Sequence, residues 1–381
     1  MRSVPGPRAE VSPCRAPVTV AVAGAEFGWG SSGKLRAVME AVRERAGVPV
    51  RFVGIGSGLG RPLLADQPVE RWYDSDAEVR ERVGAALVVL DGAAARALES
   101  AGVPTVFVDS LPFLWTDGDR PALPLEASVY CAQRCVELPA ESLGVLDSVR
   151  SLRWVEAVVG KAEGGGRPAA AFRTALVSLG GLKAPGLGDW TRYPRLVVPA
   201  ALSALAEHGV EDVHVAGNLP AGAATWWDDM PVRTTVGALP HDEFLKRLAD
   251  CDVLLASPGL TTLLEAGSLG VPTVCLPPQN LSQIFNGRFH RRAVGAAVRV
   301  TWPDGVFREE DALRLRAHGE GRALELIYGG IVRARGEGLA EAIREALRHA
   351  SAGADWGALA SAVGTGGAAQ VADELLALLH S

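Results

Sequence analysis

DVLLASPGLTTLLEAGSLGVPTVCLPPQNLSQIFN, residues 252–286, decides how this 381-residue chain is read. Asp252 opens a short apolar run, Val253 to Ala256, with the length and composition of an interior strand. Ser257-Pro258-Gly259 breaks the run, and from Leu260 to Leu269 apolar residues recur at helical spacing. A strand feeding a helix through a tight Gly turn aims backbone N–H groups, and the positive end of the helix dipole, at one point. That is an anion site, and a diphosphate fits it. Thr261 and Thr262 can add hydroxyl donors from the first helical turn. Glu265, one turn on, is too close to the phosphates to bind them but is placed to accept two ribose hydroxyls. A second strand, Val271 to Leu276, ends in Pro277-Pro278, and Gln279-Asn280-Leu281-Ser282-Gln283 follows with amides and a hydroxyl that suit a sugar.

The series Gly259…Glu265…Gly270-Val271-Pro272…Pro277…Gln283…Asn286 resembles the C-terminal half of GT-B glycosyltransferases. It is close to the lipid II-forming N-acetylglucosaminyltransferases and to the signature box of UDP-dependent glycosyltransferases. The resemblance implies an α/β chain of two Rossmann-like domains facing each other across a cleft. It also implies a diphosphate held at Gly259, Thr261 and Thr262, ribose at Glu265, and a donor sugar near Gln279, Asn280, Ser282 and Gln283. The plainer alternative is an ordinary βαβ unit with a chance acid.

The length suits two α/β domains better than one core. A net charge of −6, without basic-aromatic interleaving, argues against a nucleic-acid surface. The five cysteines lack metal-ligand spacing, and Cys251 and Cys275 read as small core residues of a protein in a reducing cytosol. No apolar run is long enough to span a bilayer, and the start lacks the pattern of a signal peptide. Residues 1–16 read as a loose tail.

Val18 to Ala23 reads as a buried parallel strand, followed by a helix from about Leu35 to Arg45. Strands at 50–54, 87–90, 105–108 and 128–131 alternate with helices near 77–85 and 92–101, which gives an acceptor-binding domain over 17–160. Gly-rich 161–170 is the expected linker. The pattern restarts at Thr174 and gives a nucleotide-sugar domain over 171–366, including a short strand at 297–300. The resemblance implies that a last helix, within 367–381, returns to the first domain.

The loop Gly28-x-Gly30-x-x-Gly33-Lys34 is neither a full P-loop, since Leu35 follows Lys34, nor a full dinucleotide fingerprint, since no acid closes the second strand. In the resembled families this loop lines the cleft and commonly carries a catalytic His. Here it holds Lys34, a candidate contact for phosphate or an anionic sugar, and all seven histidines follow residue 200. Glu26, or Asp109 at the end of the strand 105–108, could take a proton from an acceptor; each could equally cap its own segment. Ser178-Leu179-Gly180-Gly181 resembles the turn by which relatives hold the nucleotide, through Ser178 and Gly180. The resemblance also assigns Gly237 and Leu239 to the nucleobase. Asp74-Ser75-Asp76 reads as the N-cap of a helix over 77–86, and Asp117-Gly118-Asp119 as a polar turn, so no metal and no cofactor is expected. Trp29, Phe113 and Trp115 offer an aromatic wall to a flat acceptor.

The segments VAVAGAEFGWGSSGKL and FVDSLPFLW are similar to cytosylglucuronic acid synthases of peptidyl-nucleoside antibiotic pathways. This implies UDP-glucuronate as donor and cytosine or hydroxymethylcytosine as acceptor, joined with inversion and without a metal. The other classes open to the sequence are another small-molecule glycosyltransferase, a nucleotide-sugar hydrolase or epimerase, and a non-catalytic nucleotide-sugar-binding protein.

Overall fold

The computed structural model describes residues 17–56, 58–79, 82–160, 171–183, 188–318 and 320–380; the expected tail and linker lie outside them. The buried apolar runs form two parallel sheets. The first contains β1 (Val18–Gly24), β2 (Val50–Ile55), β3 (Val69–Tyr73), β4 (Ala85–Val89), β5 (Thr105–Asp109), β6 (Val129–Gln133) and β7 (Leu152–Val155). The second contains β8 (Thr174–Ser178), β9 (Asp212–Ala216), β10 (Arg233–Val236), β11 (Val253–Ala256) and β12 (Thr273–Cys275). Their orders are β3-β2-β1-β4-β5-β6-β7 and β10-β9-β8-β11-β12. Both therefore reverse direction beside their first strand, between β1 and β4 and between β8 and β11. In open parallel sheets the ligand crevice opens at the carboxyl ends of such a pair.

The helices of the first half are α1 (Gly30–Arg45), α2 (Gly92–Ser100) and α3 (Ala140–Leu146). Those that follow are α4 (Arg192–Glu207), α5 (His241–Asp250), α6 (Leu260–Leu269), α7 (Leu281–Val294), α8 (Glu309–Leu315), α9 (Glu320–Arg333), α10 (Leu339–Ser351), α11 (Ala358–Val363) and α12 (Gly367–His380). Every residue of β4, β5, β6 and β11 is buried, as a sheet covered on both faces requires. Among the described residues no helix is long and apolar enough to cross a membrane.

Two expectations fail. The helix over 77–86 is a single 3-10 turn, Asp76–Glu78, because Ala85 and Ala86 are taken into β4 between β1 and β5. Asp74 instead accepts a hydrogen bond from Arg61 at 2.8 Å, and Ser75 makes no side-chain cap. The strand at 297–300 shrinks to one bridge between Arg299 and Cys275.

α12 packs on α1, with Val371, Ala372 and Leu375 sharing a core with Val20, Leu35, Val38 and Met39. Burial of Val371 and of Leu375 each favours this docking by roughly 1.5–3 kcal/mol. The chain leaving β7 and the chain entering α12 run side by side. Ala157 N–H donates to the Gly364 carbonyl at 3.1 Å, Gly367 N–H to the Ala157 carbonyl at 3.2 Å, and Glu156 N–H to Gln370 Oε1 at 2.8 Å. A Cβ on Gly367 would stand 2.1 Å from the Glu156 carbonyl oxygen, so only glycine permits this approach.

Candidate functional site

Loops at the carboxyl ends of β1, β5, β8 and β11 line one cavity of about 320 Å³ between the two sheets, the size of a small-ligand site. Its first-half wall is largely apolar, with Phe27, Trp29, Leu114 and Trp115; its second-half wall carries Ser178, Thr261, Glu265, Gln279 and Asn280. The two halves touch here. Gly28 N–H donates to the Lys183 carbonyl at 3.3 Å, and a Cβ on Gly181 would lie 2.5 Å from Gly28 Cα. Gly181→Ala therefore forces these loops apart. The expected result is a drop of about tenfold or more in kcat/KM for a reaction that needs groups from both walls, with a nearly unchanged melting temperature. Unchanged kinetics would show that the approach is not needed.

The strand–turn–helix unit is as the spacing predicts: β11, then Ser257-Pro258-Gly259, then α6. Gly259 is the N-cap of α6, no side chain caps the helix, and its first turn holds no acid, so the positive helix end faces the cavity. Thr261, Thr262, Ser178 and Gly180 line the same region. Lys34 lies on α1, which begins at Gly30 rather than near Leu35, and its Nζ donates to Thr261 Oγ1 at 2.7 Å. Glu265 is 2% exposed, and its Oε1 has no hydrogen-bond partner. Burial pushes its carboxyl up to about 8, opposed by the charge of Lys34. Burial likewise lowers the Lys34 ammonium to about 8, opposed by Glu265.

His241 Nε2 stands 3.4 Å from Glu265 Oε1. Burial, then the charge of Arg36, lowers the pKa of this imidazole, so at neutral pH the contact joins a neutral ring to a carboxyl group and is no ion pair. His241 opens α5 and lines the cavity, which its sequence position, at a helix start, did not reveal.

The amide cluster read as a sugar contact has a second task. Asn280 caps α7, its Oδ1 accepting from Gln283 N–H at 2.9 Å and from Ser282 Oγ at 2.8 Å. Gln283 Oε1 accepts from Gln279 N–H at 2.8 Å, and Gln279 Nε2 donates to Ser257 Oγ at 3.1 Å. All four line the cavity, and these bonds leave the amide NH₂ groups of Asn280 and Gln283 available as donors. Asn286 Nδ2 donates to the Pro258 carbonyl at 3.0 Å, bracing the turn before α6; its buried Oδ1 has no partner.

The remaining expected residues divide. Leu239, Trp29 and Trp115 line the cavity, whereas Gly237 and Phe113 do not. Phe113 is fully buried against Phe285 and Phe289, with ring centroids 5.2 and 5.1 Å away, and so helps join the two halves. Ala25 and Phe27 face the cavity, but Glu26 between them is exposed and accepts a hydrogen bond from Gly58 N–H. Asp109 is 0% exposed and does not reach the cavity. Its carboxylate accepts from Trp115 Nε1 at 2.6 Å, Tyr130 OH at 2.8 Å and Leu111 N–H at 3.0 Å. It thus holds the Trp115 indole in the wall.

No family model matches the sequence, and no curated protein matches it. Solved structures do resemble the fold. Arabidopsis thaliana UGT89C1 superposes with a TM-score of 0.55 at 14% identity, over 95% of this chain and 99% of that one. The same protein complexed with UDP gives 0.55 at 13%, over 96% and 100%. Phytolacca americana UGT2, complexed with UDP-2fluoro-glucose and pterostilbene, gives 0.51 at 13%, again over 96% and 100%. The fold is GT-B. At these identities the likeness is one of fold, and it spans both sheets and the cleft between them.

Proposed function

We propose that this GT-B protein is a glycosyltransferase that moves the sugar of a UDP-sugar to a small planar acceptor, with UDP-glucuronate and cytosine or hydroxymethylcytosine as the specific pair. The observation that carries the reading is Glu265. A buried carboxyl with an unpartnered oxygen, one turn into a helix whose N-terminus faces a cavity, is arranged for a ligand that brings its own hydroxyl donors beside an anion. A nucleoside diphosphate is such a ligand. The complexes of the two plant structures with UDP and with UDP-2fluoro-glucose support the choice of nucleotide.

In the proposed reaction the acceptor nitrogen attacks the anomeric carbon from the side of Trp29 and Trp115. The bond from that carbon to the diphosphate oxygen breaks, and its electron pair leaves with UDP. The configuration inverts. Charge on the leaving diphosphate is met by the α6 N-terminus and the Thr261 and Thr262 hydroxyls, without a metal. The acceptor proton goes to Glu26, which is exposed beside the cavity and turns into it from its bond with Gly58 N–H, rather than to Asp109, which is fully buried with its oxygens committed to Trp115, Tyr130 and Leu111.

The test is to incubate the protein with UDP-glucuronate, with and without cytosine, and follow UDP and product mass. UDP release that requires cytosine, with a product equal to cytosine plus one glucuronyl unit, is expected, and Glu26→Gln should lose it while still binding UDP. Release without cytosine would make the protein a hydrolase. Binding without release under a panel of donors and acceptors would make it a nucleotide-sugar-binding protein.

A further inference from the structure

Lys34 is out of place for a surface lysine. It lies on α1 in the first half, is 3% exposed, and sends its ammonium across the cleft to the first turn of α6 in the second half, 2.7 Å from Thr261 Oγ1. A lysine is seldom this buried unless paired, and a single neutral hydroxyl is a poor partner for it. Glu265 lowers the cost by its charge, yet no hydrogen bond joins the two. The two helix starts converge on the same spot: Gly33 of α1 faces the Thr261 methyl, and neither α1 nor α6 has an acid in its first turn. One lysine and two helix N-termini thus gather positive charge at one spot, and the acid whose charge acts on Lys34 is Glu265.

We infer that Lys34 is the counter-cation of the leaving diphosphate, turning from Thr261 to the phosphate oxygens when the donor binds. The inference rests on the reading above and assigns Lys34 to the diphosphate rather than to the sugar. Its consequence is that both halves of the protein grip the donor, the second half by α6 and the first half through this one side chain. A lysine so placed does for the departing oxygens what a divalent ion does elsewhere, by neutralising charge as it develops.

The alternative is a strut that only holds the halves together, and binding data separate the two. UDP and uridine are titrated calorimetrically onto the wild type, Lys34→Met and Lys34→Arg, with thermal melting to check folding. A charge-assisted bond to the diphosphate predicts that Lys34→Met weakens UDP by about tenfold to a hundredfold and leaves uridine unchanged, while Lys34→Arg recovers part of the loss. Equal weakening of both ligands, or no weakening of UDP, overturns the role of Lys34 alone. Failure of the wild type to bind UDP overturns the UDP-sugar reading and this role with it.

Discussion

Glu265→Ala is expected to raise the KM for the UDP-sugar by about a hundredfold while the protein still folds. The argument starts from the cost of the native residue. A carboxyl at 2% exposure with one oxygen unpaired, pushed up to about 8 by burial, does not stabilise the ligand-free fold. Its removal takes away that liability; Lys34 loses the charge that eases its burial but keeps its bond to Thr261, so the two effects oppose one another and the fold is retained. In the complex the same carboxylate would accept two ribose hydroxyls, and hydrogen bonds to a charged group contribute about 1.5–3 kcal/mol each. Even at the low end, two of them account for about two orders of magnitude. Initial rates against donor concentration, with a melting curve as the folding control, check both halves of the claim. An unchanged KM would remove Glu265 from the ribose.

Asp109→Ala is expected to lower stability instead, by an amount that depends on pH. The substitution leaves Trp115 Nε1 and Tyr130 OH buried without their acceptor, a loss of the order of 3 kcal/mol. Asp109 itself resists ionisation: burial raises its carboxyl from 3.8 to about 6, against the pull of Trp115, Tyr130 and Leu111. A carboxyl whose pKa is raised by folding gives its full stabilisation below about pH 4 and loses it as pH rises through about 6. The gap between wild type and variant should therefore be widest near pH 4 and narrow by roughly 3 kcal/mol by pH 7. Urea unfolding at the two pH values measures it. A gap that widened with pH would mean that Asp109 is held as a carboxylate, and would reopen its candidacy as a base.

The sequence showed most clearly what depends on local pattern. α6 runs over Leu260–Leu269 as its apolar spacing predicts, and the strands β1, β2, β5 and β11 fall within a residue or so of the expected runs. β3 and β7 escaped because they are edge strands: Glu70, Arg71, Arg153 and Trp154 are not buried, which breaks the continuous apolar signature. α7 was hidden by its own cap, since Asn280, Ser282 and Gln283 read as polar ligands before they read as a helix start. The site was legible where one segment supplies it and illegible where two do. Lys34 and Thr261 are 227 residues apart, and no periodicity connects them. Asp109 stands at the end of a strand where ligands gather, yet six residues later Trp115 covers it.

The paired backbone segments at Glu156-Ala157 and Gly364–Gly367 set the mechanics of the cleft. Halves joined by one flexible tether can swivel, slide and twist. Joined at two adjacent, hydrogen-bonded segments, they are braced against sliding and twisting in a way that one tether does not provide. Gly28 meets Gly181 and Lys34 meets Thr261 across the same cleft, so backbone pairing at this crossing helps to align the two walls that carry the site.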